Sequence, residues 1–180
     1  EMLHGGRPYL DAVERKPPLL FALYAQILQF GHDEWYVLHA VAALWTLATM
    51  AVLYQIGRTL FDRETGCWAA LLYGLFMAWA DYRNLAFNGE LLMNLPAMGA
   101  VAIAFHEGRS RWRPELPLAG ALVAIAFLLK QPSGIVIAAL GLYLLTPAYR
   151  EERGLGLGHV VAHAALLTIG FTSVFLVAGL

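Results

Sequence analysis

The charged residues of this chain occur in short clusters, and long apolar stretches separate the clusters. Residues 35–57, for example, contain no Asp, Glu, Lys or Arg. Only 14% of the chain is charged and 59% is hydrophobic, whereas about a quarter of a soluble domain is charged and about half is apolar. The chain therefore lacks the polar side chains to cover a globular surface, and we predict that lipid is part of its solvent.

The net charge and the number of cysteines argue against nucleic-acid binding and against cysteine-based sites. The net charge is −1, which provides no basic surface for nucleic acid. Cys67 is the only cysteine, so no disulfide and no cysteine-based metal site can form within the chain. The chain starts on a polar segment without an initiating methionine and stops inside an apolar run. We expect a fragment of a longer protein that is inactive alone.

Hydropathy predicts an all-α, multi-pass transmembrane helix bundle with about six spans and one interfacial helix. Residues 17–30 would form an apolar helix of about 21 Å, too short for a membrane core of about 30 Å, so we place it at the interface. The expected organisation is a single transmembrane domain, residues 1–180, with an external loop and the interfacial helix in residues 1–34 and transmembrane helices in residues 35–180. The predicted spans are residues 35–57, 67–80, 88–105, 116–129, 134–149 and 157–180.

The basic residues predict the orientation of the bundle. Positive charge favours the cytoplasmic side of a membrane. Seven arginines fall in alternate loops, which we place in the cytoplasm: Arg58, Arg63, Arg109, Arg111, Arg113, Arg150 and Arg153. Five basic residues fall on the opposite side: Arg7, Arg15, Lys16, Arg83 and Lys130.

This topology gathers six charged residues from three separate stretches of sequence at the non-cytoplasmic face. Pro17 disfavours the helical conformation for Lys16, so Glu14 and Lys16 should point to the same side of an extended segment. A carboxylate and an ammonium would then lie at the depth of lipid headgroups. The alternative interpretation is a salt-bridged loop beside the membrane. The six residues are Glu14, Lys16, Asp81, Arg83, Glu90 and Lys130.

Other candidate residues also have structural alternatives. Glu90 begins an apolar helix, where an acid either stabilises the helix terminus or faces a wet cavity. Lys130 lies in the turn of a predicted hairpin between residues 116–129 and 134–149, and a lysine there can simply extend to the interface. His159 and His163 have metal-ligand spacing but lack the glutamate of the zinc-protease pattern, so a buried structural pair is the preferred interpretation.

Four sequence elements occur in order and with matching spacing over nearly all of residues 2–149. They are residues 2–11 (MLHGGRPYLD), residues 14–19 (ERKPPL), residues 57–61 (GRTLF) followed by Gly66, and residues 118–132, which contain LAG and AFLLK. Together they resemble the GT-C glycosyltransferases related to protein O-mannosyltransferases, lipid A aminoarabinose transferases and Rgt-type lipopolysaccharide glycosyltransferases (glycosyltransferase family 39-like).

The resemblance implies a transferase that moves a sugar from a polyprenyl-phosphate carrier to a lipid, glycan or protein acceptor. The reaction would take place at the external face of the plasma (inner) membrane, in the cell envelope. By the same resemblance Glu14, Lys16 and Glu90 line the active site, and Lys16 contacts the carrier phosphate. The cofactor stays open, with a divalent metal as one candidate.

The chain departs from the family pattern at two points. The family's second acid is more often Asp and lies closer behind an arginine than Glu90 lies behind Arg83. The family's catalytic acid, in an Asp-Glu motif, precedes the point where this chain begins.

The chemistry of glycosyl transfer fits these residue types. A phosphate leaving group needs positive charge rather than a proton donor, which suits Lys16 and Arg83. The acceptor hydroxyl needs a base, and a partly desolvated carboxylate suits that role. The upstream acid is the best base candidate, and Glu90 would support the acceptor site or a metal.

Two rival classes stay open. A polytopic transporter or lipid flippase would line a path with its charges, but such proteins place ionisable groups near mid-membrane and often show inverted repeats. Here the charges cluster at one face and no repeat is visible. A non-catalytic membrane partner with the same fold is the third interpretation. An Asp-Glu motif shortly upstream of Glu1 would favour the enzyme.

The orientation can be tested by labelling a cysteine at Ser110, between the arginines predicted to be cytoplasmic. In intact cells carrying Ser110→Cys in a Cys67→Ser background, only a membrane-permeant thiol reagent should label the protein. Ready labelling by an impermeant reagent would overturn the orientation.

Overall fold

A computed structural model describes residues 18–31, 35–79, 87–106 and 112–179. All the regular structure within these residues is helical, which confirms the predicted all-α class for them. The helices are α1 (Pro18–Phe30), α2 (Trp35–Leu60), α3 (Arg63–Trp79), α4 (Gly89–Ala104), α5 (Leu116–Leu129), α6 (Ile135–Leu145), α7 (Pro147–Arg153) and α8 (Leu157–Ala178), with a 3₁₀ helix (Gln131–Gly134) between α5 and α6.

Two of the described helices are long and apolar enough to cross a membrane. They are residues Tyr36–Leu60 within α2 and Leu157–Ala178, with mean hydropathies of 1.8 and 2.1. α2 has 26 residues, and a rise of about 1.5 Å per residue makes it about 39 Å long. α3 to α6 have 17, 16, 14 and 11 residues, which is shorter than a core of about 30 Å requires. Six spans therefore stay a prediction.

The connection between α2 and α3 is shorter than the sequence suggested. The predicted loop at residues 58–66 is mostly helical, with α2 ending at Leu60 and α3 beginning at Arg63. The Asp62 carboxylate explains the early start of α3, because it accepts a hydrogen bond of 2.7 Å from the Thr65 backbone N–H. This hydrogen bond lowers the pKa of Asp62 from its ordinary value.

The predicted helix at residues 134–149 is broken, which corrects the sequence analysis. α6 ends at Leu145, and α7 starts two residues later at Pro147. Thr146 is extended, with φ −63° and ψ 146°, because the following proline disfavours the helical conformation. The Thr146 hydroxyl then caps α7 by accepting a hydrogen bond of 3.3 Å from the Tyr149 N–H. Arg150 and Arg153 consequently lie in α7 rather than in a loop.

Glycines bring two pairs of helices into backbone contact. A Cβ on Gly57 of α2 would lie 2.7 Å from the Gly66 Cα of α3. A Cβ on Gly120 of α5 would collide with the Leu167 carbonyl oxygen of α8, and one on Gly170 would collide with the Pro117 carbonyl oxygen. Small residues allow this approach, which drives helix association in lipid. α5 consequently packs mainly between α4 and α8, and less closely against α6.

The bundle has two ends with separate apolar clusters. We call one the Lys130 end, where α1, the start of α4 and the end of α5 meet around Leu20, Leu92 and Leu129. We call the other the arginine end. There α4 ends and α5 begins, and the cluster includes Ala104 and Tyr149. The described arginines of the predicted cytoplasmic loops lie at the helix boundaries of the arginine end: Arg58, Arg63, Arg113, Arg150 and Arg153.

The glycine contact between α5 and α8 predicts a sharp difference between two Gly→Ala substitutions. Gly120→Ala should lower the stability by about 1–3 kcal/mol, because the new methyl group forces the two backbones apart. Gly141→Ala is the matched control, since a Cβ at Gly141 meets nothing within 4 Å. Thermal unfolding in detergent measures both variants. Equal melting temperatures for the two would contradict the packing.

Candidate functional site

The structure describes two of the six charged residues that the sequence places at the external face. Glu90 and Lys130 lie within the described residues. The other four, Glu14, Lys16, Asp81 and Arg83, lie outside them.

Glu90 lies in the first turn of α4. The Asn88 side chain caps this helix, because its Oδ1 accepts a hydrogen bond of 2.9 Å from the Leu91 N–H. Gly89 is buried against α5, and a Cβ there would lie 3.0 Å from the Leu129 carbonyl oxygen. Glycine thus lets the start of α4 approach the end of α5, and the Glu90 carboxylate is carried to the same place.

Lys130 follows the last residue of α5 and has a fixed, extended backbone with φ −157° and ψ 120°. Its N–H donates a hydrogen bond of 2.9 Å to the Ala126 carbonyl oxygen. Its own carbonyl oxygen accepts bonds from Ser133, one of 3.1 Å from the N–H and one of 2.9 Å from the hydroxyl. The turn predicted from the sequence is therefore a rigid support for the lysine side chain.

The Lys130 ammonium forms an ion pair with the Glu90 carboxylate. The side chains are 32% and 58% exposed, respectively, so the pair is open to solvent or to a ligand. The structural alternative for Glu90 agrees with its position, since Glu90 lies at the N-terminus of α4. For Lys130, the structure adds an acidic partner that the sequence analysis had not assigned.

A cavity of about 430 Å³ lies beside this ion pair. α1 supplies one apolar wall, and the start of α4 and the end of α5 supply the polar rim. The Tyr24 ring is held by an edge-to-face contact with Phe87, with 5.0 Å between the ring centroids. The lining residues are Leu20, Phe21, Tyr24, Asn88, Gly89, Glu90, Leu129, Lys130, Gln131 and Pro132.

Two supporting residues were not identified from the sequence. The Trp45 indole N–H in α2 donates a hydrogen bond of 3.0 Å to the Leu92 carbonyl oxygen, and the Asn94 amide in α4 donates one of 3.1 Å to the Tyr73 hydroxyl in α3. These two hydrogen bonds attach the N-terminal part of α4 to α2 and α3. The sequence signal was a polar group inside an apolar helix, which needs a partner when it is shielded from water.

The arginine end carries a buried polar cluster that supports the fold. Arg113 is 1% exposed, and its Nη2 donates a hydrogen bond of 2.7 Å to the Ile103 carbonyl oxygen at the end of α4. Its Nε donates to the Glu115 carboxylate. Burial raises the pKa of Glu115, but the Glu115 backbone N–H, Arg113 and the His106 charge together bring it below its ordinary value.

His163 belongs to the same end and has a structural role. It is buried, and its Nδ1 lies 2.9 Å from the Tyr149 hydroxyl. His159 instead makes an edge contact with Trp112. Over the described ranges, no group of three or more His, Cys, Asp or Glu side chains could hold a metal ion. The burial of His163 and its contact with Tyr149 agree with the structural interpretation of that histidine.

Comparison with known proteins gives one match. The family model described as dolichyl-phosphate-mannose-protein mannosyltransferase matches residues 15–177. No curated protein and no solved structure matches the chain. The family match covers α1 to α7 completely and most of α8, so it includes both the Glu90–Lys130 pair and its cavity.

The exposure of the Glu90–Lys130 pair predicts a small contribution to stability. Lys130→Gln should change the free energy of unfolding by about 1 kcal/mol or less, because solvent screens a partly exposed ion pair. Chemical or thermal unfolding of the purified variant in detergent gives this value. A loss of several kcal/mol would instead identify the pair as a structural element of the bundle.

Proposed function

Because the chain belongs to the dolichyl-phosphate-mannose-protein mannosyltransferase family, we propose that it transfers a sugar from a polyprenyl-phosphate carrier to a lipid, glycan or protein acceptor. Family membership makes the chain a membrane glycosyltransferase, with a lipid-linked sugar donor and an acceptor. We further propose that the reaction takes place at the external face of the plasma (inner) membrane and that the arginine end faces the cytoplasm. The single domain with six spans and an external segment at residues 1–34 is part of the same proposal.

The observation that carries the proposal is the Glu90–Lys130 pair beside an apolar-walled cavity. A lipid-linked sugar phosphate combines a prenyl chain, an anionic phosphate and a polar sugar. Such a molecule needs an apolar wall, a cation and hydrogen-bonding groups within a short distance. Leu20 and Phe21 of α1 provide the wall, Lys130 provides the cation, and Asn88 and Gln131 add amide groups. The cavity of about 430 Å³ is within the usual range for small-ligand sites.

Chain connectivity supports a role for the undescribed charged residues at this cavity. Lys16 precedes Leu20 by four residues, and four residues span at most about 14 Å whatever their conformation. Arg83 precedes Phe87 by the same number, and Phe87 packs on Tyr24 at the cavity. The side chains of lysine and arginine add several ångströms to this reach. We therefore propose that both cations reach the cavity at the Lys130 end.

We assign the roles by charge. During transfer, the bond between the sugar's anomeric carbon and the phosphate oxygen breaks, and the electron pair leaves with the phosphate. Lys16 and Arg83 stabilise this growing negative charge, and Lys130 lies at the same face. The acceptor oxygen bonds to the anomeric carbon and gives its proton to a carboxylate, for which Glu14 and Glu90 are the candidates in this chain. Asp81 is a further polar group of the site.

The distribution of charge in the described helices favours an enzyme over a transporter or lipid flippase. α2 carries Arg58 only near its C-terminus, and α8 contains no Asp, Glu, Lys or Arg. Glu90 and Lys130 lie at helix ends. A translocation path would instead need ionisable groups near the middle of the membrane.

In the full-length protein, Lys16→Ala should lower sugar transfer by roughly ten- to a hundred-fold, because it removes a charge-assisted contact worth about 1.5–3 kcal/mol to the carrier phosphate. Lys16→Arg keeps the charge and should retain part of the activity, although arginine has a different geometry. Turnover of the carrier-linked sugar in liposomes measures the effect.

Arg15→Ala is the matched control for this experiment. The sequence places Arg15 on the side of the extended segment opposite Glu14 and Lys16, so its loss should have little effect on transfer. Expression and melting temperature should be measured for each variant. Normal turnover by a well-folded Lys16→Ala variant would show that the Lys-Pro-Pro motif has only a structural role.

A further inference from the structure

A smaller cavity opens at the arginine end, between the C-terminal turns of α2 and α4. Its volume is about 220 Å³, and no residue proposed for sugar transfer lines it. Half of its described lining is polar, and that half includes a guanidinium, an imidazole, a hydroxyl and an amide but no carboxylate. The polar residues are Gln55, Arg58, Thr59 and His106, and the apolar residues are Ile56, Leu60, Ala102 and Phe105.

The polar half of this cleft is suited to an anion. The Arg58 guanidinium lies over the Tyr54 ring, 5.8 Å from its centroid, and this contact restrains the charge beside the cleft. The Thr59 hydroxyl and the His106 imidazole can both donate hydrogen bonds to phosphate oxygens. Two acids of the same end are engaged elsewhere, since Asp62 caps α3 and Glu115 pairs with Arg113.

An apolar track leads from the cleft along the exposed face of α2. Leu44 and Leu47 are 66% and 59% exposed, and Ala51 is exposed one turn further on. Gln55 and Arg58 continue the same line at helical spacing. Leu44 and Arg58 are separated by fourteen residues, or about 21 Å, which exceeds the half-thickness of a membrane core, about 15 Å. With Arg58 at headgroup depth, a track of this length would reach the middle of the bilayer.

We propose that this cleft binds one anionic glycerophospholipid from the leaflet at the arginine end. The phosphate lies against Arg58, Thr59 and His106, and one acyl chain follows Leu47 and Leu44. Basic pockets between membrane helices bind anionic headgroups in this manner. A free phosphate would leave the apolar track unused. A zwitterionic lipid would bring an ammonium group into a cleft whose described lining offers no carboxylate.

This lipid site is independent of sugar transfer. It lies at the end of the bundle opposite the Glu90–Lys130 pair, and it shares no lining residue with that cavity. The bound lipid would fix the depth of α2 in the membrane and hold together the ends of α2 and α4.

Native mass spectrometry of the purified protein in detergent tests the proposal. Dioleoyl-phosphatidylglycerol, phosphatidylcholine with the same chains, and inorganic phosphate are titrated separately. Phosphatidylglycerol should bind about ten-fold more tightly than phosphatidylcholine, and added salt should weaken it. Arg58→Gln should abolish the roughly ten-fold preference for phosphatidylglycerol over phosphatidylcholine, because it removes one charge-assisted contact to the phosphate. Arg58→Lys should retain most of it.

Arg150→Gln is the matched control, because Arg150 is an exposed arginine at the same end that does not line the cleft. It should bind phosphatidylglycerol like the unmodified protein. Thr59→Val keeps the side-chain shape and should weaken phosphatidylglycerol binding by a smaller factor. This variant tests the cleft if Arg58→Gln unfolds. Equal binding of the two lipids, unchanged binding in both cleft variants, or displacement of the lipid by inorganic phosphate would each overturn the proposal.

Discussion

Backbone contact between helices, made possible by glycine, is the constraint on which this bundle depends. Gly57 meets Gly66 where α2 turns into α3, and Gly120 and Gly170 bring α5 and α8 together. In lipid, no hydrophobic force drives apolar helices together, so close approach and dispersion contacts must do so. The position of α5 is thereby fixed, and with it the position of Lys130 at its end. Gly89 likewise allows a close approach, here between the start of α4 and the Leu129 carbonyl oxygen. This approach brings Glu90 next to Lys130.

The two ends of the bundle use charged residues differently. At the arginine end, Arg113 is buried, and it satisfies the Ile103 carbonyl oxygen at the C-terminus of α4. That arginine has the structural role of a helix cap. At the Lys130 end the Glu90 and Lys130 side chains are partly exposed beside a cavity, and the Lys130 backbone N–H and carbonyl oxygen already have partners. Glu90 and Lys130 are therefore available to a ligand beside the larger cavity, which supports our proposal that the chemistry takes place there.

Periodicity and composition predicted much of the fold. The bounds of α5 agree with the predicted residues 116–129, α1 starts one residue later than predicted, and α8 ends two residues earlier. The break at Thr146–Pro147 was missed, although the pre-proline rule contains the signal. The glycine contacts could not be predicted, because each glycine needs a partner whose position only the tertiary structure defines. The burial of Arg113 was missed for the same reason, since a loop arginine and a helix-capping arginine look alike in sequence.

For the site, the sequence predicted that Glu90 and Lys130 share one face, and the structure joins them in an ion pair. Their role in transfer stays a proposal, because a structural ion pair would have the same geometry. A charge swap, Glu90→Lys with Lys130→Glu, separates the two roles, since it restores the pair while exchanging the positions of the charges. We predict that the double variant of the full-length protein folds with a melting temperature near that of the unmodified protein but does not recover transfer of the carrier-linked sugar. Recovery of normal transfer in the double variant, after loss in each single variant, would show that the pair only supports the fold.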